Sequence, residues 1–231
     1  MTIHDAFLKA FSLIAAGDAE LLGIVFLSLR VSGLALLIGA AIGLLLAVFL
    51  ELVRIPGRGF LVTLLNTLTG LPPVVVGLLV YILLSRRGPL GFLDLLYTPG
   101  AMILAQSILV VPIVASLSHA AVVAAGQEVG RTARCLGATP FQATLAVFKD
   151  CRYAIIAAMA TAFGRAVAEV GAVLLVGGNI AHHTRVMTTA IAMETDKGNF
   201  ELAIALGLVL LSLSFVVNAL FHVVQRRGVK R

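Results

Sequence analysis

Three ionisable side chains stand inside long apolar stretches of this chain: Arg30, Arg165 and Glu169. An ionised group within a bilayer is expensive and persists where it faces protein or a water-filled route. Arg165 and Glu169 are four residues apart and share one helix face. At a helical rise of about 1.5 Å per residue, Arg30 and Glu169 lie at similar depth and can meet, with Arg165 nearer the midplane. Two readings follow. The charges form a buried pair or triad that locks helices together, or Arg165 lends positive potential to an anion route. Such a route needs weak, transient attraction, because tight binding would stall release. A second set of polar groups surrounds prolines. Asn66, Thr67 and Thr69 precede Pro72-Pro73, and Gln106, Ser107 and Pro112 share a later apolar stretch. Proline breaks a helix and frees carbonyls, which is tolerated beside protein or water. These residues are gate or pathway candidates on one reading and packing kinks on the other.

Other chemistry has little support in the residues. His182-His183 has no ligand partners at metal-binding spacing and reads as a solvated loop; no metal site is expected. Cys135 and Cys151 match no metal pattern and no disulfide framework. An intramembrane enzyme would need a nucleophile–base pair or a metal cluster, and neither is evident. No P-loop, Gly-rich dinucleotide turn or zinc-protease motif is present, so any energy source is an ion gradient or a separate subunit. A secondary transporter would carry its coupling-ion sites inside the membrane. Here one acid alone is buried in a span, and five spans offer no clear inverted repeat.

The elements that position these residues are apolar helices. The chain has 231 residues, 60% hydrophobic and only 12% charged. Soluble proteins carry about 25% charged residues. A helix needs about 20 apolar residues to cross a bilayer core. Five segments qualify: 21–53, 60–84, 100–125, 154–176 and 200–224. The expected fold is an all-α integral membrane protein. Met1–Gly17 lacks the features of a signal peptide and reads as an amphipathic segment at the interface. The expected organisation is an N-terminal segment over 1–20, one transmembrane domain over 21–225 and a tail over 226–231. The net charge of +6 is read as positive-inside bias rather than as a nucleic-acid surface. Arg54, Arg58, Arg131, Arg134, Lys149, Arg152, Arg226, Arg227, Lys230 and Arg231 fall on one side, and Lys9, Arg86, Arg87, Arg185 and Lys197 on the other. The first side is therefore cytoplasmic. The C-terminus lies inside and the N-terminus outside.

Gln127–Arg152 is a polar island among these spans, too long for a turn and too polar to cross. Glu128–Leu136 and Pro140–Phe148 read as two short helices joined at Gly137, a permissive backbone position. Thr139 is the expected N-cap, with Pro140 at the first helical position. Phe141, Leu145 and Phe148 form an apolar stripe, and Arg131 and Arg134 lie on a neighbouring face. On physics alone this hairpin is a surface helix held by anionic lipid or a docking element.

The island resembles the cytoplasmic coupling loop of ABC importer permeases. The match is Gly137-Ala138-Thr139-Pro140-Phe141-Gln142, with Val147 following at the family's distance. The family's Glu-Ala-Ala triplet falls on Arg131-Thr132-Ala133, and Glu128 lies one turn earlier. Ser28–Ser32, Gly70–Gly77 and Arg165–Ala172 are similar to oxyanion-importer permeases. Gly177–Ile180 and Thr184–Ile191 look most like the tungstate branch, with molybdate and sulfate permeases as close relatives. The resemblance implies a multi-pass permease of the bacterial cytoplasmic (inner) membrane that works as a homodimer. Two ATP-binding subunits would carry ATP and Mg, leaving this chain without a cofactor, and an external binding protein would deliver the oxyanion. The residues implied for ATPase coupling are Glu128, Arg131, Arg134, Gly137, Ala138, Thr139, Phe141, Leu145 and Lys149. Arg185, Glu194 and Lys197 lie in the outer segment 179–199, which would touch the binding protein or re-enter beside the pore. ATP binding would pull the coupling helices together and open the pore outward, and hydrolysis would reset it.

Overall fold

Backbone amides and carbonyls find no water in hydrocarbon, so a crossing segment closes its own hydrogen-bond ladder as a helix. The computed structural model describes residue 12 and residues 14–52 and 56–229. Most of the expected interfacial segment over Met1–Gly17, and the end of the tail, lie outside the described residues. Every regular element among the described residues is helical. The helices are α1 (Ala19–Leu52), α2 (Arg58–Leu68), α3 (Pro73–Leu84), α4 (Pro99–Cys135), α5 (Pro140–Asp150), α6 (Arg152–Val167), α7 (Gly171–Gly177), α8 (Met187–Asp196) and α9 (Phe200–Val229), with a 3-10 turn at Gly91–Leu93.

Among the described residues three helices have the length and apolar character to cross a membrane: α1, α4 over Pro99–Gly126, and α9 over Phe200–Val224. Two further segments are bent pairs. The axis turns by 98° between α2 and α3 and by 56° between α6 and α7. Counting each pair as one crossing gives five. The first break follows from Pro72-Pro73: Pro72 is the N-cap of α3, and Pro73 takes the first position, where its missing N–H costs nothing. The second break corrects the expectation of an unbroken helix over 154–176.

The chain divides into two compact units. One comprises the described residues of Met1–Ala35 together with Pro72–Gln106 and Arg165–Val217. Its core joins Leu21 and Ile24 of α1, Met187 and Ala190 of α8, and Ala205 and Leu206 of α9. In the same unit α3 packs on α7. A Cβ added at Gly77 would stand 2.7 Å from the Ala172 Cα, so the two backbones approach as closely as small residues allow. The other unit comprises Leu36–Leu71, Ser107–Gly164 and the described residues from Asn218 onward. There Gly43 of α1 lies against α4, where a Cβ would meet Val114 Cβ at 2.9 Å. A second core joins Val122 of α4, Val147 of α5, Cys151 and Ile155 of α6. Large apolar side chains such as Phe26, Leu37, Leu45, Leu211 and Phe215 are exposed along α1 and α9. That surface suits hydrocarbon, whereas a soluble monomer would rarely display it.

Gly77→Ala forces its methyl into the backbone of α7, an overpacking that costs about 1–3 kcal/mol. Gly33, with open space around its Cβ direction, accepts alanine without loss. Thermal unfolding of the two purified variants in one detergent checks this: the Gly77 variant melts lower than the parent, and the Gly33 variant does not.

Candidate docking hairpin and polar sites

α4 does not end with its apolar stretch but continues to Cys135. Glu128–Leu136, expected as a separate helix, is therefore the end of α4. Gly126 and Gly130 do not break it, because both face α5. Cβ atoms built on them would lie 3.8 and 3.5 Å from the methyls of Val147. The helix then stops through two crossing bonds. Ala138 N donates to Ala133 O and Gly137 N to Arg134 O, each at 3.0 Å. Gly137 between them has φ +88°, the left-handed position that favours glycine in this motif. Thr139 opens α5 with a reciprocal cap. Its Oγ1 accepts from Gln142 N at 3.3 Å, and its own N–H donates to Gln142 Oε1 at 2.9 Å. Pro140 follows at the first helical position, as the sequence predicts.

These constraints fix which face of α5 is left outward. Ala143 and Val147 are buried. Phe141 and Leu145 are 63% and 60% exposed, and Leu136 at the joint is 83% exposed. The expected stripe is thus divided: Phe148 turns to the Val147 cluster, while Phe141 and Leu145 form an outward apolar ridge. Glu128, Arg131, Arg134 and Lys149 are exposed around it, and Ala138 is half-buried in the joint. Glu128, Arg131 and Thr132 line a shallow notch with Ala124. Arg152 donates to the Lys149 carbonyl at 2.6 Å, closing the far end of α5. Burial pushes the Cys151 thiol up, whereas Cys135 is exposed.

Glu169 occupies the break between α6 and α7. Its carboxylate is buried; Oε2 meets Arg165 at 3.4 Å, and Oε1 accepts from Ala172 N at 3.1 Å. Thr188 Oγ1 donates to the Glu169 carbonyl at 2.8 Å. Gln106 Nε2 donates to the Ala166 carbonyl at 2.9 Å, leaving Gln106 Oε1 buried without a partner. The expected meeting of Arg30 with Glu169 is not made. Glu169 is taken by its own chain segment, and Arg30 is exposed. Depth counted along straight helices does not account for a helix that bends by 56°. At the other break, Thr69 Oγ1 donates to the Asn66 carbonyl at 2.6 Å, and Ser116 Oγ donates to Asn66 Oδ1 at 2.5 Å. Asn66 and Pro72 are exposed, and Thr69 and Pro73 are half-buried.

In the segment 179–199, Arg185 pairs with Glu20 at 3.3 Å. Ser28 Oγ accepts the first amide of α8, from Met187, at 2.8 Å. Glu194, expected as a contact for an external protein, is buried and turned inward, where Lys197 Nζ and Asn199 Nδ2 bond it at 2.9 and 2.8 Å. The hydrogen bond from Lys197 holds the Glu194 carboxyl below its ordinary range against desolvation, aided by Asn199 and the charges of Lys197 and Arg185. Lys197 itself is 55% exposed. His182 and His183 are exposed. Among the described residues no three His, Cys, Asp or Glu side chains converge on a point where a metal ion would sit.

One polar cluster escapes sequence reasoning. Arg58 at the start of α2 donates to Glu51 Oε2 at 2.8 Å and approaches His119 Nε2 of α4 at 3.2 Å. A guanidinium only donates, so Nε2 is the acceptor and His119 is neutral there. The position of Glu51 and Arg58 on either side of the α1–α2 turn is the only signal the sequence offers.

The family model for the binding-protein-dependent transport system inner membrane component matches residues 22–230. The chain belongs to that family, the permeases of ABC importers. It is 42% identical over 223 residues to the tungstate uptake system permease protein TupB of Peptoclostridium acidaminophilum, covering 96% of this chain and 98% of that one. It is 44% identical over 214 residues to a probable anion ABC transporter permease protein of Haloferax volcanii, covering 89% and 92%. The fold is similar to that of a bacterial ABC transporter involved in the import of the acidic polysaccharide alginate, with a TM-score of 0.75 at 21% identity over 96% of this chain and 83% of that one. This permease is a multi-pass inner-membrane protein and is not the ATPase of its system. A binding-protein-dependent ABC system supplies ATP hydrolysis and substrate capture on other subunits.

Two outcomes test this geometry. Gly137→Ala places a Cβ on a left-handed backbone, costing about 1–2 kcal/mol. It speeds hydrogen exchange at the Gly137 and Ala138 amides more than in α9. For Glu194, the lowered carboxyl pKa stabilises the fold at pH values above the ordinary 4.5, and that stabilisation is lost as pH falls through the folded value. Chemical denaturation of the permease across this acid range shows a steeper loss for the parent than for Glu194→Gln.

Proposed function

We propose that the chain is the permease of a tungstate importer. The observation that carries this reading is the 42% identity, over nearly the full length of both chains, to a permease of tungstate uptake. A second tungstate uptake permease, from Campylobacter jejuni, is 36% identical over 97% of this chain. Molybdate and sulfate are the alternative cargoes. The sulfate transport system permease protein CysT of Salmonella typhimurium is 31% identical over 82% of this chain and 71% of its own length, a weaker and shorter likeness.

In this reading two copies of the chain form the conduit, the N-terminus faces outward, and the hairpin and C-terminus face the cytoplasm. Each hairpin seats in an ATP-binding subunit through Leu136, Phe141 and Leu145. Glu128, Arg131, Arg134 and Lys149 supply the charged margin of this contact, and Gly137, Ala138 and Thr139 hold its angle. Three features support this. The ridge is apolar and outward, both ends of α5 are capped by its own chain, and Val147 anchors the element on α4. A docking lever needs these properties; a loosely adsorbed surface helix needs neither the caps nor the anchor. On the outer side, Lys197 is the exposed charge offered to the binding protein, whereas Arg185 is only 16% exposed and is paired with Glu20 of its own chain. Asn66, Thr69 and the Pro72-Pro73 break, with Arg30, are the polar features offered to the pathway.

Phe141→Asp with Leu145→Asp charges the ridge and leaves Ala143 and Val147 in place. Co-purification of the ATP-binding subunit drops at least tenfold while the melting temperature of the permease stays near the parent value. Uptake by cells lacking this chain, complemented with the parent, shows tungstate exceeding molybdate and sulfate. Equal co-purification, or uptake of sulfate alone, contradicts the respective half of the reading.

A further inference from the structure

Arg165 and Glu169 form a pair of unequal partners. Glu169 is 3% exposed and Arg165 is 39% exposed. One carboxylate oxygen caps α7 through Ala172 N, and the other meets the guanidinium at only 3.4 Å. Charge-assisted N–H···O contacts are ordinarily about 2.7–2.9 Å, so this one is loose. Glu169 is therefore fixed by the helix break, with its carbonyl also held by Thr188. Arg165 is tethered to it weakly and is itself 39% exposed. A partly exposed arginine in an apolar span has chemistry to offer an anion that reaches it. Its planar fork matches two oxygens of a tetrahedral oxyanion. A bare guanidinium in a low-dielectric site would hold a dianion too tightly to let it go, and conduction needs weak attraction. A neighbouring carboxylate lowers that attraction.

We propose that Arg165 is a transient contact for the transported oxyanion inside the membrane, and that Glu169 is its resident counter-charge, whose contact with Arg165 gives way to the oxyanion and re-forms when it leaves. This rests on the oxyanion cargo proposed above. Glu169 stays in place during the exchange because Ala172 N and Thr188 hold it. The Arg165 side chain swings between the carboxylate and the cargo. The pair thus keeps the empty path neutral and sets the strength of the contact through competition.

The test uses the full permease bound to an ATPase subunit unable to hydrolyse ATP, with ATP present and no binding protein. Equilibrium dialysis with radiolabelled tungstate measures the contact directly. Glu169→Gln keeps an oxygen for Ala172 N and so keeps the cap, but it removes the competing charge. The expected result is several-fold tighter tungstate binding, together with several-fold slower uptake in the hydrolysing system, because release is slowed. Arg165→Gln abolishes the binding, and Arg165→Lys retains part of it. A merely structural ion pair predicts the opposite for Glu169→Gln: a lower melting temperature and no tighter binding, which would overturn the proposal. Unchanged binding in Arg165→Gln would overturn it as well, and if that variant fails to assemble, Glu169→Gln still decides. Uptake by the parent names the cargo separately. If the parent moves sulfate and not tungstate, the cargo reading fails and the same dialysis is run with radiolabelled sulfate.

Discussion

A helix broken inside hydrocarbon must find partners for the polar backbone groups it frees, and this chain breaks two crossing segments. At the break between α6 and α7 the partners are side chains. Gln106 donates to the carbonyl of Ala166, Thr188 to that of Glu169, and the Glu169 carboxylate accepts the amide of Ala172. An unsatisfied group of this kind costs several kcal/mol in lipid, and these contacts, with the Glu169 amide that also reaches the Ala166 carbonyl at 3.3 Å, cover the groups at the break. They also tie α4, α8 and α7 to one point within their unit. At the break before α3, Pro73 removes one amide and Thr69 satisfies the Asn66 carbonyl. Close helix approaches at Gly77 and Gly43 follow the same economy: with no hydrophobic drive between helices in lipid, contact comes from small residues that let backbones meet.

The hairpin depends on a different constraint. α5 has only 11 residues, too few to be stable alone. It holds because its entry is fixed by the Gly137 turn and the Thr139–Gln142 cap, its exit by Arg152, and its inner face by Val147 on the Gly126–Gly130 surface of α4. Every one of these restraints lies on the inner face or at the ends. The outer face is left free of intramolecular work and carries Phe141 and Leu145. A rigid element with an unused apolar face is what a subunit contact requires. It joins α4 through the short Gly137–Thr139 turn rather than through a long loop.

Much of this was legible beforehand, for identifiable reasons. Pro140 and Thr139 announced the start of α5 because caps are local, and Pro72-Pro73 announced the bend before α3 because proline acts on its own backbone. The end of α4 is hidden because the chain turns polar at Gln127 while the helix runs on to Cys135, with Gly126 and Gly130 packed on Val147. The α6–α7 break was invisible because no proline marks it; it is made by a glutamate whose amide partner lies three residues on. The same bend defeated the pairing of Arg30 with Glu169. The inward turn of Glu194 was hidden for a related reason, since its neighbours Lys197 and Asn199 gather around it only when the end of α8 folds back. Arg58, Glu51 and His119 come from three helices, and no local pattern joins them.

The account rests most heavily on the outward ridge of α5 as the seat of the ATP-binding subunit. Its most direct test is thiol labelling at Leu145→Cys in a Cys135→Ser background, where the remaining Cys151 is buried. The account predicts rapid maleimide labelling of the permease alone and strong protection once the ATP-binding subunit is bound, with no protection at a control cysteine placed at exposed Phe92. Equal labelling at position 145 with and without that subunit would contradict it.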